Sequence, residues 1–341
     1  MAGVIIPMAG NGFKWRDHAD VLADVRQRYE EQGQSAPEIA AALGLGRYQI
    51  EYAIRQYGLK AGSAERWCPK APVWTAPAPP EERLPPPPLV TSAPTRQDVE
   101  TSVFLSDVHI PSQDAEAVRV VLNFILWLKP THVFLTGDIF DCYALSRFDK
   151  APRRIIGLQS ELDQLEDFLF HTRLAAGPDA EIHYMEGNHE RRVQTYLTRH
   201  PELSELRGLK PENLFRLNDY GIQWHPQEEV YRHHGFIVTH GTVVRKHAGR
   251  SAQGEFEKYI SSGISGHTHR AGSYTKTAMD STYAWYELGC LCDLEPEYMV
   301  GTADWQHAIA VGHFIKGDNR FAIEQVQIPK RKLLYRGLLF D

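Results

Sequence analysis

TSVFLSD (101–107), EAVRVVLNFILWLK (116–129) and THVFLTGD (131–138) decide the fold. Read in succession, they give an apolar strand ending in a carboxylate, a helix, and a second apolar strand ending in a carboxylate. This is a β-α-β unit. Working outward from it, RRIIGLQSELDQLEDFLFHTRL (153–174) reads as a long helix, EIHYMEGNH (181–189) as a strand, and the chain from Glu190 as a further helix. Strands then predominate: VYRHHGFIVTH (230–240), GISGHTH (263–269), GSYTKT (272–277) and YAWYELG (283–289). Alternating α/β gives way to β. Every polar cluster falls just past the carboxyl end of an apolar strand, which is where open α/β sheets place their ligands.

Five such clusters stand in order: Asp107-Val-His109, Gly137-Asp138-x-x-Asp141, Gly187-Asn188-His189-Glu190, His240-Gly241, and Gly266-His267-Thr-His269. Any one of them is commonplace at a strand end, but five in order are not. The set resembles the calcineurin-like metallophosphoesterases, whose motifs are D-x-H, G-D-x-x-D, G-N-H-[DE], a lone His, and G-H-x-H. The resemblance covers residues 102 to about 275. It implies an α/β (α+β) fold, a two-sheet αββα sandwich flanked by helices, with a dinuclear site at the strand ends.

Hydrolysing a phosphoester requires neutralising phosphoryl oxygens and making a nucleophile from water near neutral pH, and a pair of divalent ions about 3.5 to 4 Å apart does both. By the resemblance Asp138 bridges the ions, Asp107, His109 and His269 complete one, and Asn188, His240 and His267 complete the other. Imidazole, carboxylate and amide oxygen suit manganese, iron, zinc or nickel, and the ligand set does not choose among them. His189 matches the family's general acid and Asp141 its orienting carboxylate, while Arg191 and Arg192 follow as candidates for the substrate phosphate. Cys290 and Cys292 form a C-x-C pair with no second pair nearby, so they read as two buried residues on one strand face rather than a metal site.

Residues 69–94 hold ten of the chain's 21 prolines. Such a segment forms neither helix nor central strand and acts as a semi-rigid spacer. The expected organisation is a small all-α domain at 1–65, a proline-rich linker at 66–98, and the phosphoesterase domain at 99–341. In the first, VLADVRQRYEEQG (21–33) reads as a helix. Ser35-Ala36-Pro37-Glu38 supplies an N-cap, a first-turn proline and a capping-box glutamate for a second, and RYQIEYAIRQYGLK (47–60) follows a glycine break at 44–46 as a third. The I-A-x-x-L-G run before that last helix resembles the helix-turn-helix of DNA-binding regulators. On that resemblance Arg47, Tyr48, Gln49, Tyr52 and Arg55 face DNA. Three short amphipathic helices also make protein-docking modules, and residues 11–60 carry seven basic against seven acidic residues.

The net charge of −6 argues against a large basic groove, and 43% hydrophobic with 23% charged residues is ordinary for a globular chain. The opening MAGVIIPMAGNG lacks the pattern of a signal peptide, and no apolar run reaches spanning length, so the expected place is the cytoplasm, away from membranes. Within the family, Ser106 before Asp107 and Cys142 after Asp141 depart from the protein serine/threonine phosphatases. Only the 72 residues 270–341 follow His269. They read as strands (308–315, 321–328, 332–340) finishing the second sheet, not as the capping domain of double-strand-break repair nucleases. Three readings of function stay open: a DNA-directed phosphodiesterase or nuclease tethered to its helix-turn-helix, an esterase for a small phosphorylated substrate with a docking module, and a DNA-binding regulator. The sequence is silent on oligomeric state.

Overall fold

The computed structural model describes residues 18–60, 99–147, 157–296 and 301–341. The chain divides into two compact units, Met1–Leu89 and Val90–Asp341. The proline-rich stretch at 66–98 and the start of the helix expected from Arg153 lie outside the described residues.

Among the described residues the first unit contains three helices: α1 (Ala19–Arg26), which runs on through a π-helical turn at Gln27–Glu31, α2 (Ala36–Leu43) and α3 (Arg47–Gln56). The capping box at Ser35 forms, with the Ser35 N–H donating to Glu38 Oε2 at 2.8 Å. Gly44 ends α2 at φ 65°, the left-handed cap that glycine adopts without cost. Val21, Val25, Ile39, Ala40, Ile50, Ala53 and Leu59 form the unit's buried core, and Ile54 packs against it, one turn from Ile50.

The second unit is a two-sheet sandwich with helices. One sheet contains β1 (Val99–Leu105), β2 (His132–Leu135), β3 (Glu181–Met185) and β4 (Ile222–His225), joined by β10 (Ala308–Ile315) and β11 (Phe321–Gln327), in the order β11-β10-β1-β2-β3-β4. The other contains β5 (Tyr231–His233), β6 (Phe236–Val238), β7 (Gly263–Ser265), β8 (Gly272–Thr277) and β9 (Thr282–Glu287), in the order β5-β6-β7-β9-β8. Strands β1 to β4 are parallel, as crossovers through α4 (Ala115–Leu128), α5 (Leu158–Ala176) and α6 (Arg191–Arg199) require. A short helix α7 (Pro211–Leu214) precedes β4, and α8 (Arg250–Tyr259) packs on β8 and β9.

Two cores result. Val103, Leu105, Val133, Leu135 and Ile182 face the α4 and α5 layer, where Phe124, Ile125, Leu165 and Leu169 meet them. Phe104, Phe134 and Met185, joined by Phe314 of β10, face Phe236, Val238 and Ile264 between the sheets. This is the alternation expected of strands buried on both faces.

The C-terminal strands differ from expectation. They extend the first sheet rather than finish the second, because β10 runs antiparallel along the open edge of β1, pairing Val103 with Val311 and Phe104 with Ala310. A central strand with two apolar faces leaves no solvated edge, and β10, itself almost wholly buried, completes its hydrogen bonding. The last segment forms a separate hairpin, β12 (Leu333–Tyr335) with β13 (Leu338–Phe340), whose Tyr335 and Phe340 rings pack on Phe124 of α4. Among the described residues no helix is long and apolar enough to cross a membrane.

Candidate metal centre

Asp107 and His109 follow β1, Asp138 follows β2, Asn188 and His189 follow β3, His240 follows β6, and His267 and His269 follow β7. The fold thus gathers strand ends from both sheets. Five of these residues, Asp107, His109, Asp138, His267 and His269, adopt left-handed backbone at φ between 50° and 71°. Non-glycine residues there cost about 1 kcal/mol or more each, a strain that clusters at functional sites.

His269 Nε2 lies 3.1 Å from both Asp107 Oδ1 and His109 Nε2. His240 Nε2 lies 3.1 Å from Asn188 Oδ1 and 3.3 Å from Asp138 Oδ2. Asp138 Oδ2 also stands 3.9 Å from His109 Nε2, so its carboxylate sits between the two groups. The His267 ring packs 5.0 Å from that of His240, and its backbone N–H donates to Asp107 Oδ2 at 2.9 Å. His240 Nδ1 donates to Thr136 O at 2.9 Å, which turns Nε2 toward Asp138 and Asn188 as the nitrogen that would hold a metal.

Burial alone would raise both aspartates, but the imidazoles outweigh it. His269 and His109 hold Asp107 well below the usual carboxylate range, and His240 and His189 do the same for Asp138. Burial would conversely lower the histidines, yet Asp138 pushes His240 up to about 9 and Asp107 does so for His269. His267 is lowered, by burial and by the neighbouring His240. This donor set fits divalent cations. Asp107 Oδ1, fully buried, has no aligned hydrogen-bond donor, and lone-pair atoms of imidazole, carboxylate and amide converge on a shared space.

At the rim, His189 Nδ1 donates to Asp141 Oδ1 at 2.5 Å, and its backbone N–H donates to Asp138 Oδ1 at 2.9 Å. Arg192 Nη1 donates to Asp141 O and Oδ1 at 2.7 and 2.9 Å, and its Nη2 lies 3.4 Å from His189 Nε2. Arg192 is therefore at the site. Arg191 is drawn elsewhere, 2.5 Å from Glu228 and 3.5 Å from Glu186.

Glu190, the last residue of Gly187-Asn188-His189-Glu190, builds the floor of the site, a role that no motif signals. Its buried carboxylate accepts from the N–H groups of Asp138 (3.0 Å), Gly187 (3.0 Å) and Phe140 (2.8 Å) and from the Tyr184 hydroxyl (2.7 Å). Burial and nearby Asp138 raise it. Gly187 passes so close that a Cβ there would collide with Asp138 and Glu190, and Gly137, at φ 87°, would bring a Cβ to 2.6 Å from His240.

Beside His267 and His269 opens a cleft of about 330 Å³ that Arg245, Arg270, Asp304 and Trp305 also line, with the Trp305 ring 4.3 Å from that of His269. No motif signals these residues, because they meet only in the fold. Cys290 and Cys292 are buried as expected but lie outside the named strands, in isolated bridges, and Cys292 Sγ stands 3.8 Å from His269 Nδ1.

In the first unit Arg47, Tyr52 and Arg55 are exposed on α3, with Arg47 2.7 Å from Glu51. Gln49 is occupied locally, its Oε1 accepting from the Gly46 N–H at 2.8 Å as part of the helix cap. The side chain of Tyr48 lies outside the described residues.

No protein-family model matches the chain. Among solved structures it is similar to Vacuolar Protein Sorting 29 from Cryptosporidium parvum (14% identity, 71% of this chain and 94% of that one, TM-score 0.36). It is similar also to a dimetal phosphatase from Danio rerio (12%, 66% and 95%, TM-score 0.38). These likenesses are slight and carry no functional argument. In sequence it is 29% identical over 225 residues to the Gene 54 protein of Mycobacterium phage L5, covering 61% of this chain and 87% of that one. It is 31% identical over 218 residues to the Gene 54 protein of Mycobacterium phage D29, covering 60% and 85%. The chain belongs to the family of these phage Gene 54 proteins.

Proposed function

We propose that the second unit is a metal-dependent phosphoester hydrolase. One observation carries the reading: Asp107, His109, Asp138, Asn188, His240, His267 and His269 converge on one space with the His189–Asp141 pair at its rim. Two divalent ions held by those seven residues would supply Lewis acidity toward phosphoryl oxygens and a nucleophile from water. Asp141 engages Nδ1 of His189 and so fixes the ring's orientation, which leaves Nε2 as the atom that hands a proton to the leaving oxygen. Arg192 positions this pair and places positive charge where an anionic ester would lie. The test is hydrolysis of a generic phosphodiester and a generic monoester by the full chain supplied in turn with manganese, iron, zinc and nickel. Turnover that His189→Ala lowers about a hundredfold or more supports the reading; no turnover with any of the four ions refutes it.

The finer reading is a DNA-directed phosphodiesterase. It is supported by the exposed Arg47, Tyr52 and Arg55 on one helix of a three-helix unit that shares a chain with the hydrolase. Tethering raises local substrate concentration without new catalytic contacts. The double variant Tyr52→Ala, Arg55→Glu is then expected to weaken DNA cleavage and leave a small diester unaffected. Equal activity on DNA would turn the choice to a small phosphorylated substrate and a docking role for the helices.

A further inference from the structure

At the amino ends of the parallel strands, opposite the metal centre, the sheet face that meets the second sheet carries histidines in neighbouring strands. His132 pairs in register with Glu181, and Phe134 with His183, so 132 and 134 share a face with 181 and 183. His132 and His183 are 8% and 1% exposed, while the Glu181 side chain is 59% exposed, so solvent reaches the group from the carboxylate side. The two rings lie nearly parallel, 5.9 Å between centroids.

Hydrogen bonding settles which ring nitrogens hold protons. The Thr131 hydroxyl donates to Thr101 O at 2.9 Å, so toward His132 Nδ1, at 3.0 Å, it accepts. His132 therefore carries its proton on Nδ1 and a lone pair on Nε2. His225 Nδ1 faces the Glu229 carboxylate at 3.1 Å and carries the proton there, which makes its Nε2 the acceptor for His183 Nδ1–H at 3.1 Å. That leaves a lone pair on His183 Nε2, a buried atom with no hydrogen-bond partner among the described residues.

Both lone pairs face one oxygen, Glu181 Oε2, at 4.0 Å from His132 and 3.7 Å from His183, and the three atoms lie within 4.8 Å of one another. Three acceptors meet, and among the described residues no donor to His183 Nε2 stands with them. Protonating the rings is a poor remedy, since burial, aided by His225 and His132, holds His183 down to about 3, and burial lowers His132 as well. Each ring is instead arranged as metal-binding imidazoles are, with the far nitrogen donating to a fixed partner. Glu100, on the other side of His132, faces the protonated Nδ1 and is already engaged by His234 at 2.7 Å, so it is not the carboxylate of this group.

We propose that His132, Glu181 and His183 bind a divalent transition-metal ion, a site independent of the centre roughly 16 Å away along the strands. Two imidazoles and a carboxylate suit zinc, nickel, cobalt or copper, with water completing the coordination on the exposed side. Tetrahedral metal–ligand bonds of about 2.0 to 2.2 Å set the ligand atoms roughly 3.3 to 3.6 Å apart; the mobile end of the exposed glutamate supplies the closure of roughly half an ångström toward each ring, and the two ring nitrogens, within 4.8 Å of each other, close by rotation of the imidazoles. The ion would tie the amino ends of β2 and β3 together.

The test is equilibrium dialysis of the full chain against micromolar zinc, with bound zinc counted by elemental analysis. H183Q is expected to hold one zinc fewer than the wild type, and E181Q to need at least tenfold more zinc to fill the same equivalent. Circular dichroism checks folding of H183Q; should it not fold, E181Q decides alone, since Glu181 is exposed. Zinc binding unchanged in E181Q, or in folded H183Q, overturns the proposal. D138N reports separately on the other centre, so failure of either reading leaves the other measurable.

Discussion

Replacing Glu190 by glutamine tests how the centre is built. In the native site Oε2 accepts from the Asp138 and Gly187 N–H groups and Oε1 from the Phe140 N–H and the Tyr184 hydroxyl. A glutamine of the same shape keeps one oxygen and turns an NH₂ toward the other pair of donors. If the NH₂ replaces Oε2, two buried backbone N–H groups are left without acceptors at about 1 to 3 kcal/mol each, so Glu190→Gln is expected to destabilise by about 2 to 6 kcal/mol. The other orientation strands one backbone N–H and lets the Tyr184 hydroxyl rotate away, placing the cost near the lower end. Urea unfolding of the full chain, followed by the far-ultraviolet dichroism of the second unit's transition, reads the change, with Tyr184→Phe as a control that removes one donor and leaves the carboxylate. A loss below about 1 kcal/mol with an unchanged denaturant slope would refute the view that this carboxylate carries the Asp138 and Gly187 loops.

Gly187→Ala is expected to destabilise by several kcal/mol, at least about 2, because its Cβ meets Asp138 and Glu190 rather than a yielding side chain; a thermal melt within a degree or two of wild type would contradict this. Asp141→Asn should lower turnover of an ester with a poor leaving group by about a hundredfold and less for a good one, since its Oδ1 holds the His189 proton donor, while its contacts to Arg192 and His109 act on both esters alike; equal losses for both esters would remove His189 from that role. Unfolded His183 and His233 take up protons near 6.5, whereas burial holds both near 3 in the fold. Between those values the unfolded chain binds more protons, so stability in chelator falls as pH drops, by about 1.4 kcal/mol per unit for each ring. His233→Gln should flatten that slope, as denaturation at successive pH values would show. Trp305→Ala should raise KM for a bulky ester more than it lowers kcat if the cleft beside His269 seats substrate; steady-state kinetics separate the two.

The strand–helix–strand alternation from Thr101 to Asp138, the capped helix at Ser35 and the strand-end placement of the five clusters were all legible in the sequence. Each rests on local chemistry, namely apolar runs, caps and glycines within a few residues of what they control. Partners distant along the chain had no such signal. Whether β10 completes the first sheet or the second depends on which edge of β1 is open, a property of the assembled sheet. Arg191 and Arg192 are adjacent and alike in sequence, but helix geometry points one at Glu228 and the other at Asp141. Glu190 acquires its role only because β2 brings the Asp138 and Phe140 N–H groups over it, and His132 meets His183 only because two parallel strands settle in register. Short-range sterics and side-chain type, both local to the sequence, settle the kinds of element and the chemistry at their ends. Tertiary structure decided which polar groups lose water together, because desolvation and hydrogen-bond satisfaction belong to groups that meet in space, however far apart they lie along the chain.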